Sequence, residues 1–204
     1  MSDQTPKSTI RQLLESGPTD PVLMEKLTLL EELRAAHMND DQKTMLEIGK
    51  KLAANEKAFE TAKKQRRTAI AKSVADAKAV ADPDARAEAL LSAFAFCVRE
   101  TCAAERGGQG KDTYNFGIRQ LRTVGDELRV LGHFAALAQF LDSPDIDVRG
   151  FAAVWLRNIM PDRVLPILKE VNKIESFGSP VGTQVFTAIF ELENTQRKEP
   201  DAKN

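Results

Sequence analysis

The segment LGHFAALAQFLDSPDIDVRGFAAVWLRNI, residues 131–159, carries two helical apolar stripes separated by a tight turn. Phe134, Leu137, Phe140 and Leu141 make a first helix of about two and a half turns. Asp142-Ser143-Pro144-Asp145 is turn chemistry, with Pro presetting φ and the acids able to bond nearby backbone amides. Val148, Ala152, Trp155, Leu156 and Ile159 then recur on one face of a second helix. Small Ala152 and Ala153 let the two helices touch, while Val148 and Leu156 fill the seam. Arg149, next to the turn, is expected to bond exposed carbonyls or a neighbouring Asp.

The same periodicity extends in both directions. Pro161 opens a helix bearing Leu165, Leu168 and Val171, a turn covers Ser176–Pro180, and Val185, Ala188, Ile189 and Leu192 mark a last helix. The end, TQRKEPDAKN (195–204), is polar and expected to be disordered. Toward the start, Ile118, Leu121, Val124, Leu128 and Leu131 stripe a helix over 113–131. The Gly-rich stretch Arg106–Asp112 before it reads as the best boundary in the chain. Asp82-Pro83-Asp84 starts another helix, running to about Glu105, with Leu90, Leu91, Phe94, Cys97 and Val98 on its buried side.

Residues 41–81 contain no proline and a single glycine, Gly49. Their apolar positions begin in heptads (Met45, Ile48, Leu52, Phe59, Ala62, with Asn55 at a core position) and then shift phase to Ile70, Val74 and Ala77, as a stutter does. One long helix and two helices broken near 66–68 both satisfy this pattern. The Leu-rich helix after Asp20-Pro21, with Leu23, Leu27, Leu30 and Leu33, is its nearest partner in an antiparallel hairpin. A short helix over 8–16 precedes it. Alternating apolar strands bounded by hairpin turns are nearly absent.

Helix, Asp/Pro turn, and a second helix opening Val148-Arg149 and carrying Ala152-Ala153 together resemble a HEAT-type repeat. A second, weaker unit at 161–192 follows, Val148 and Val185 being separated by a repeat-like distance. Residues from about 85 to 194 also resemble an uncharacterised bacterial domain family of HEAT-like helical pairs, in which an amphipathic helix with an acidic-Leu-Arg…Gly pattern (here Asp126-Glu127-Leu128-Arg129…Gly132) precedes the repeat. The resemblance implies a fold and no chemistry, and residues 20–81 fall outside it. Taken with the helical periodicity of the whole chain, the expectation is an all-α protein: a helical hairpin extension over 1–81, then a right-handed α-α superhelical stack over 82–194.

Composition narrows the function. The chain has 204 residues, 29 basic against 30 acidic, and a net charge of −1, so no global field draws it to nucleic acid or anionic lipid. No run approaches the roughly 18 apolar residues of a spanning helix, and MSDQTPKST lacks a signal-type apolar core. Cys97 and Cys102, five apart on one helix, face differently and do not pair locally, which suits a reducing cytoplasm. His37 and His133 stand alone, far from ligand spacing, so neither metal nor other cofactor is expected. Arg106–Lys111 follows a helix and lacks a Gly-Lys-Ser/Thr ending, so it is not a phosphate loop. Asp145 and Asp147 read as cap and dipole complement, not as a catalytic pair.

The one charged concentration is Lys57, Lys63, Lys64, Arg66, Arg67 and Lys72 against Glu60 alone. No aromatic interleaves except Phe59, which belongs to the apolar seam. Lys63, Lys64, Arg66 and Arg67 are therefore the candidate partner-binding residues. Asp142, Pro144, Val148, Arg149, Ala152, Ala153, Trp155 and Leu156 define the repeat. The expectation is a non-catalytic, cytoplasmic protein-interaction module, in its most concrete form an immunity-type protein blocking a cognate toxin. The alternative is a nucleic-acid-associated factor using the basic helix 57–72.

Overall fold

Three helix starts are written in a few residues. Asp41 accepts from the Thr44 amide and hydroxyl, Asp82 accepts from the Ala85 amide with Pro83 next to it, and Asp145 accepts from the amides of Asp147 and Val148. These side chains satisfy amides that have no partner within their own helix. The computed structural model describes residues 21–39, 41–175 and 179–198, and no strand occurs among them. The elements are α1 (Pro21–Met38), α2 (Gln42–Lys78), α3 (Pro83–Arg106), α4 (Gly110–Val130), a 3-10 helix (Phe134–Asp142), α5 (Ile146–Leu156), α6 (Pro161–Ile174) and α7 (Gly182–Lys198). The helix expected over 8–16 and the cap at Asp20 lie outside the described residues. The chain is all-helical; a superhelical stacking of the HEAT kind remains an expectation.

Of the two readings of residues 41–81, the structure takes the single helix. At 37 residues α2 is ~55 Å long, and the phase shift marks a change of partner without a break. Its first half faces α1 in an antiparallel hairpin, where Leu29, Ala36 and Ile48 form a small core. Asn55 is buried there and donates to Glu25 at 3.1 Å. Its second half faces α3 and α4, and Ile70, Val74 and Ala77 enter the main core. That core crosses the position 81/82 where the sequence suggests two units, and it continues unbroken to Leu192.

The Gly-rich stretch joins two helices without separating units. Gly107, Gly108 and Gln109 form a tight turn, with Gly108 at φ 67° and Gly110 at φ 82°, conformations costly for any side chain with a Cβ. The helices it joins are closely packed: a Cβ on Gly117 of α4 would sit 2.0 Å from the Thr101 Oγ1 of α3. Cys97 and Cys102 of α3 are buried and unpaired with one another.

The repeat-like segment departs from expectation in three places. Its first element is a 3-10 helix, in which Phe134, Leu137 and Phe140 line up because side chains three apart eclipse. Arg149 reaches Glu170 of α6 at 3.2 Å, and not a carbonyl or an Asp of the turn. Asp147 is buried, and Arg106 at the end of α3 donates to both of its carboxylate oxygens at 2.6 Å. Asp145, besides capping α5, accepts from Arg99 at 2.7 Å, so two arginines two turns apart on α3 hold the start of α5. Val148, Ala152, Ala153 and Leu156 are fully buried as expected, whereas Asp142 is exposed and meets Arg163 at 3.4 Å, and Pro144 is exposed. The last helix continues to Lys198, past residue 195 where the tail was expected to begin.

Candidate functional site

The basic run of α2 does not stay together in space. A helix turns ~100° per residue, so neighbours in sequence point apart. Arg66 turns inward, where its Nε donates to Glu100 of α3 at 2.8 Å and its side chain is only 20% exposed. It ties α2 to α3 and leaves the candidate face. Lys63 pairs with Glu60 at 3.3 Å, as i,i+3 neighbours can. Lys64 points to solvent and Arg67 lies half-buried, neither with a carboxylate partner among the described residues.

Packing of α2 on α4 supplies what the sequence did not place beside these cations. The guanidinium of Arg67 lies 4.9 Å from the centre of the Phe116 ring, and that of Arg119 lies 6.0 Å from it. An aromatic face attracts cations through its quadrupole, so Phe116 holds two arginines from different helices around one ring. Glu60, Lys63, Lys64, Arg67, Thr68, Ala71 and Phe116 line a shallow depression of about 370 Å³. Phe59 is not part of it; its ring lies 5.8 Å below the Lys26 ammonium in the α1–α2 seam. The missed signal was Phe116 with Arg119, an i,i+3 pair on an amphipathic helix, which gains meaning only once α2 is laid beside it.

A larger groove of about 600 Å³ runs between α4, α5 and α7, with Arg122, Trp155, Asn158 and Gln184 in its lining. Its charges are mostly neutralised internally, Arg129 by Asp126 at 2.8 Å and Arg157 by Glu191 at 2.9 Å. Trp155 is half-buried, edge-on to Phe94 at 5.2 Å and stacked with Phe134 at 6.1 Å, so its ring is fixed by packing. Arg129 sits 4.0 Å from the Phe134 ring centre and walls off that end.

The reactive groups are engaged elsewhere. Burial pushes the Cys97 thiol up to about 12, helped by the nearby Glu100 charge. Burial raises Cys102 further, with Asp147 adding to it, so burial disfavours the thiolate form of both groups. The Tyr114 hydroxyl, also raised by burial, donates to the Pro180 carbonyl at 3.3 Å and accepts from Gln184 at 2.8 Å. His133 lies 3.3 Å from Asp84. Among the described residues no group of three or more His, Cys, Asp or Glu converges to hold a metal ion, and no helix is long and apolar enough to cross a membrane.

No protein-family model, curated protein or solved structure matches this chain significantly.

Proposed function

We propose that this protein is a non-catalytic binding module that holds an acidic protein partner against the face where α2 meets α4. One observation carries the reading: Arg67 and Arg119 lie around the half-buried Phe116 ring beside Lys64, and none of the three cations has a carboxylate of its own within ion-pair distance among the described residues. Arginine and aromatic side chains together are the composition of interface hot spots. A partner carboxylate arriving there meets cations it does not have to win from another acid. The raised thiols and internally paired acids argue for binding over catalysis. In its most concrete form the partner is a toxin and this chain its immunity protein, in a bacterial cytoplasm.

The test is co-expression with the product of an adjacent gene. The wild-type chain is expected to co-purify with it as a tight complex, and Lys64→Glu with Arg67→Glu to lose that complex while Arg66→Gln keeps it. Complex formation unaffected by both sets of changes, or isolation of the free chain only, overturns the reading. A second reading, nucleic-acid binding, draws on the same Phe116 ring, since an aromatic platform among cations suits base stacking. It requires binding of single-stranded or duplex DNA or RNA at low salt that weakens steeply as salt rises.

A further inference from the structure

Charge in this molecule is concentrated on one rod. The helix α2 carries ten basic and four acidic residues, whereas the remainder of the chain carries 19 basic and 26 acidic. Part of that excess follows a rule: Lys43, Lys50, Lys57 and Lys64 recur every seven residues. Seven residues fall ~20° short of two full turns of a straight α-helix, so the four lysines form a gently winding crest. Neighbouring ammonium groups rise ~10.5 Å apart and the crest spans ~32 Å. Ile48, Asn55 and Ile70 are buried on the opposite side of the helix, and all four lysines are exposed. None of them has an ion-pair partner among the described residues, although α2 places Glu47, Glu56 and Glu60 within a turn or two; Glu56 meets Lys26 and Glu60 meets Lys63 instead. The crest ends at the depression lined by Lys64, Arg67 and Phe116.

We infer that this crest docks an acidic α-helix of the partner, laid lengthwise along α2 with Glu or Asp repeating every seven residues. The inference rests on the proposed acidic protein partner and specifies its shape. Two helices lying side by side share a heptad period, and a slow left-handed wind keeps the facing stripes in register over several heptads. The lysine crest already has that period. An isolated exposed ion pair contributes little, so recognition needs several in register, with an aromatic anchor at one end, here Phe116. A nucleic acid fits less well. The crest is finite and offers one aromatic platform, and the rest of the chain is net acidic, so no wider positive field adds to the attraction for phosphates.

The experiment uses the full-length chain and a fluorescently labelled helical peptide of about four heptads. One version carries Glu at a fixed position of every heptad on an Ala/Gln background; a second has the same composition with the Glu residues irregularly spaced; a third probe is a DNA duplex of similar charge. Anisotropy at low salt is expected to rank the heptad peptide about tenfold above the irregular one, and above the duplex. Lys43→Glu with Lys50→Glu is expected to weaken the heptad peptide as much as Lys64→Glu with Arg67→Glu does. Circular dichroism should show all variants equally helical, since Lys43, Lys50 and Lys64 lie on the exposed crest and Arg67 is only half-buried. Equal affinity for the two peptides, no binding of the heptad peptide, or tighter binding of the duplex overturns the inference. If only the Lys64/Arg67 pair matters, the lengthwise helix fails while the acidic partner stands; if neither pair matters, both fail.

Discussion

The α1–α2 hairpin and the stack formed by the end of α2 with α3 to α7 are written in the same helical alphabet and hold together differently. In the hairpin, among the described residues, Leu29, Ala36 and Ile48 form the buried cluster, edged by Leu33, Met45 and Leu52. In the stack the buried set runs without interruption from Ile70 to Leu192 and includes Phe94 and Phe151. Burial of apolar area is the main term that offsets chain entropy, so the stack is the thermodynamic body of the molecule and the hairpin a lightly anchored arm. That difference suits the functions suggested for them: the arm presents charge, and the stack keeps one end of it fixed.

The sharpest test of this contrast is a pair of truncations. Leu128→Ala, at a fully buried site in the stack, is expected to cost ~3 kcal/mol in denaturant unfolding. Ile48→Ala is expected to cost the global transition clearly less, while hydrogen exchange accelerates in α1 and the first half of α2 and stays slow in α4. Equal global losses would mean that arm and stack unfold as one unit.

A second test concerns the tie between α3 and α5. Asp147 has 8% of its side chain exposed and Arg106 has 35%. Removing Arg106 therefore strands a buried carboxylate, whereas removing Asp147 leaves a guanidinium that water reaches. Arg106→Ala is expected to cost ~3 kcal/mol and Asp147→Ala ~1–2 kcal/mol. The reverse order in thermal or denaturant unfolding would remove this account of the joint.

Smaller again is the cap of α3, where Asp82→Ala is expected to cost ~1 kcal/mol because the Ala85 amide loses its partner. The thiols give a readout that is kinetic. Below its pKa near 8.5, an ordinary thiol reacts about tenfold faster for each unit by which the pH is raised, because the thiolate fraction grows. With burial holding Cys97 up at about 12 and Cys102 raised too, native-state alkylation should be slow at pH 8 and should speed up with denaturant. Rapid labelling of the folded chain at pH 8 would show that the packing over this part of α3 opens readily.

How much of this was legible in the residues varies by element. Starts were clear wherever an Asp precedes the helix, because capping is a local bond between a side chain and amides two or three residues on. The buried stripe Val148, Ala152, Leu156 was legible for the same kind of reason, since periodicity is local geometry. The 3-10 form of Phe134–Asp142 was missed because both helix types bring residues three apart together. At the candidate site, the sequence named Lys63, Lys64 and Arg67, which line one depression, and grouped with them Arg66, which turns away to Glu100. It gave no reason to set Phe116 and Arg119 beside them, because that placement depends on α4 lying against α2.

By itself, then, the sequence determined that this chain is helical, where most of its helices begin, and which side of each is apolar. These follow from interactions over a few residues, whose geometry the backbone fixes. Only the tertiary structure decided that α2 is one helix with two successive partners, that the Gly-rich turn packs helices without parting units, and that Asp147 belongs to Arg106. Those are encounters between residues from 16 to 41 positions apart, and helical periodicity says which face is buried but not what buries it.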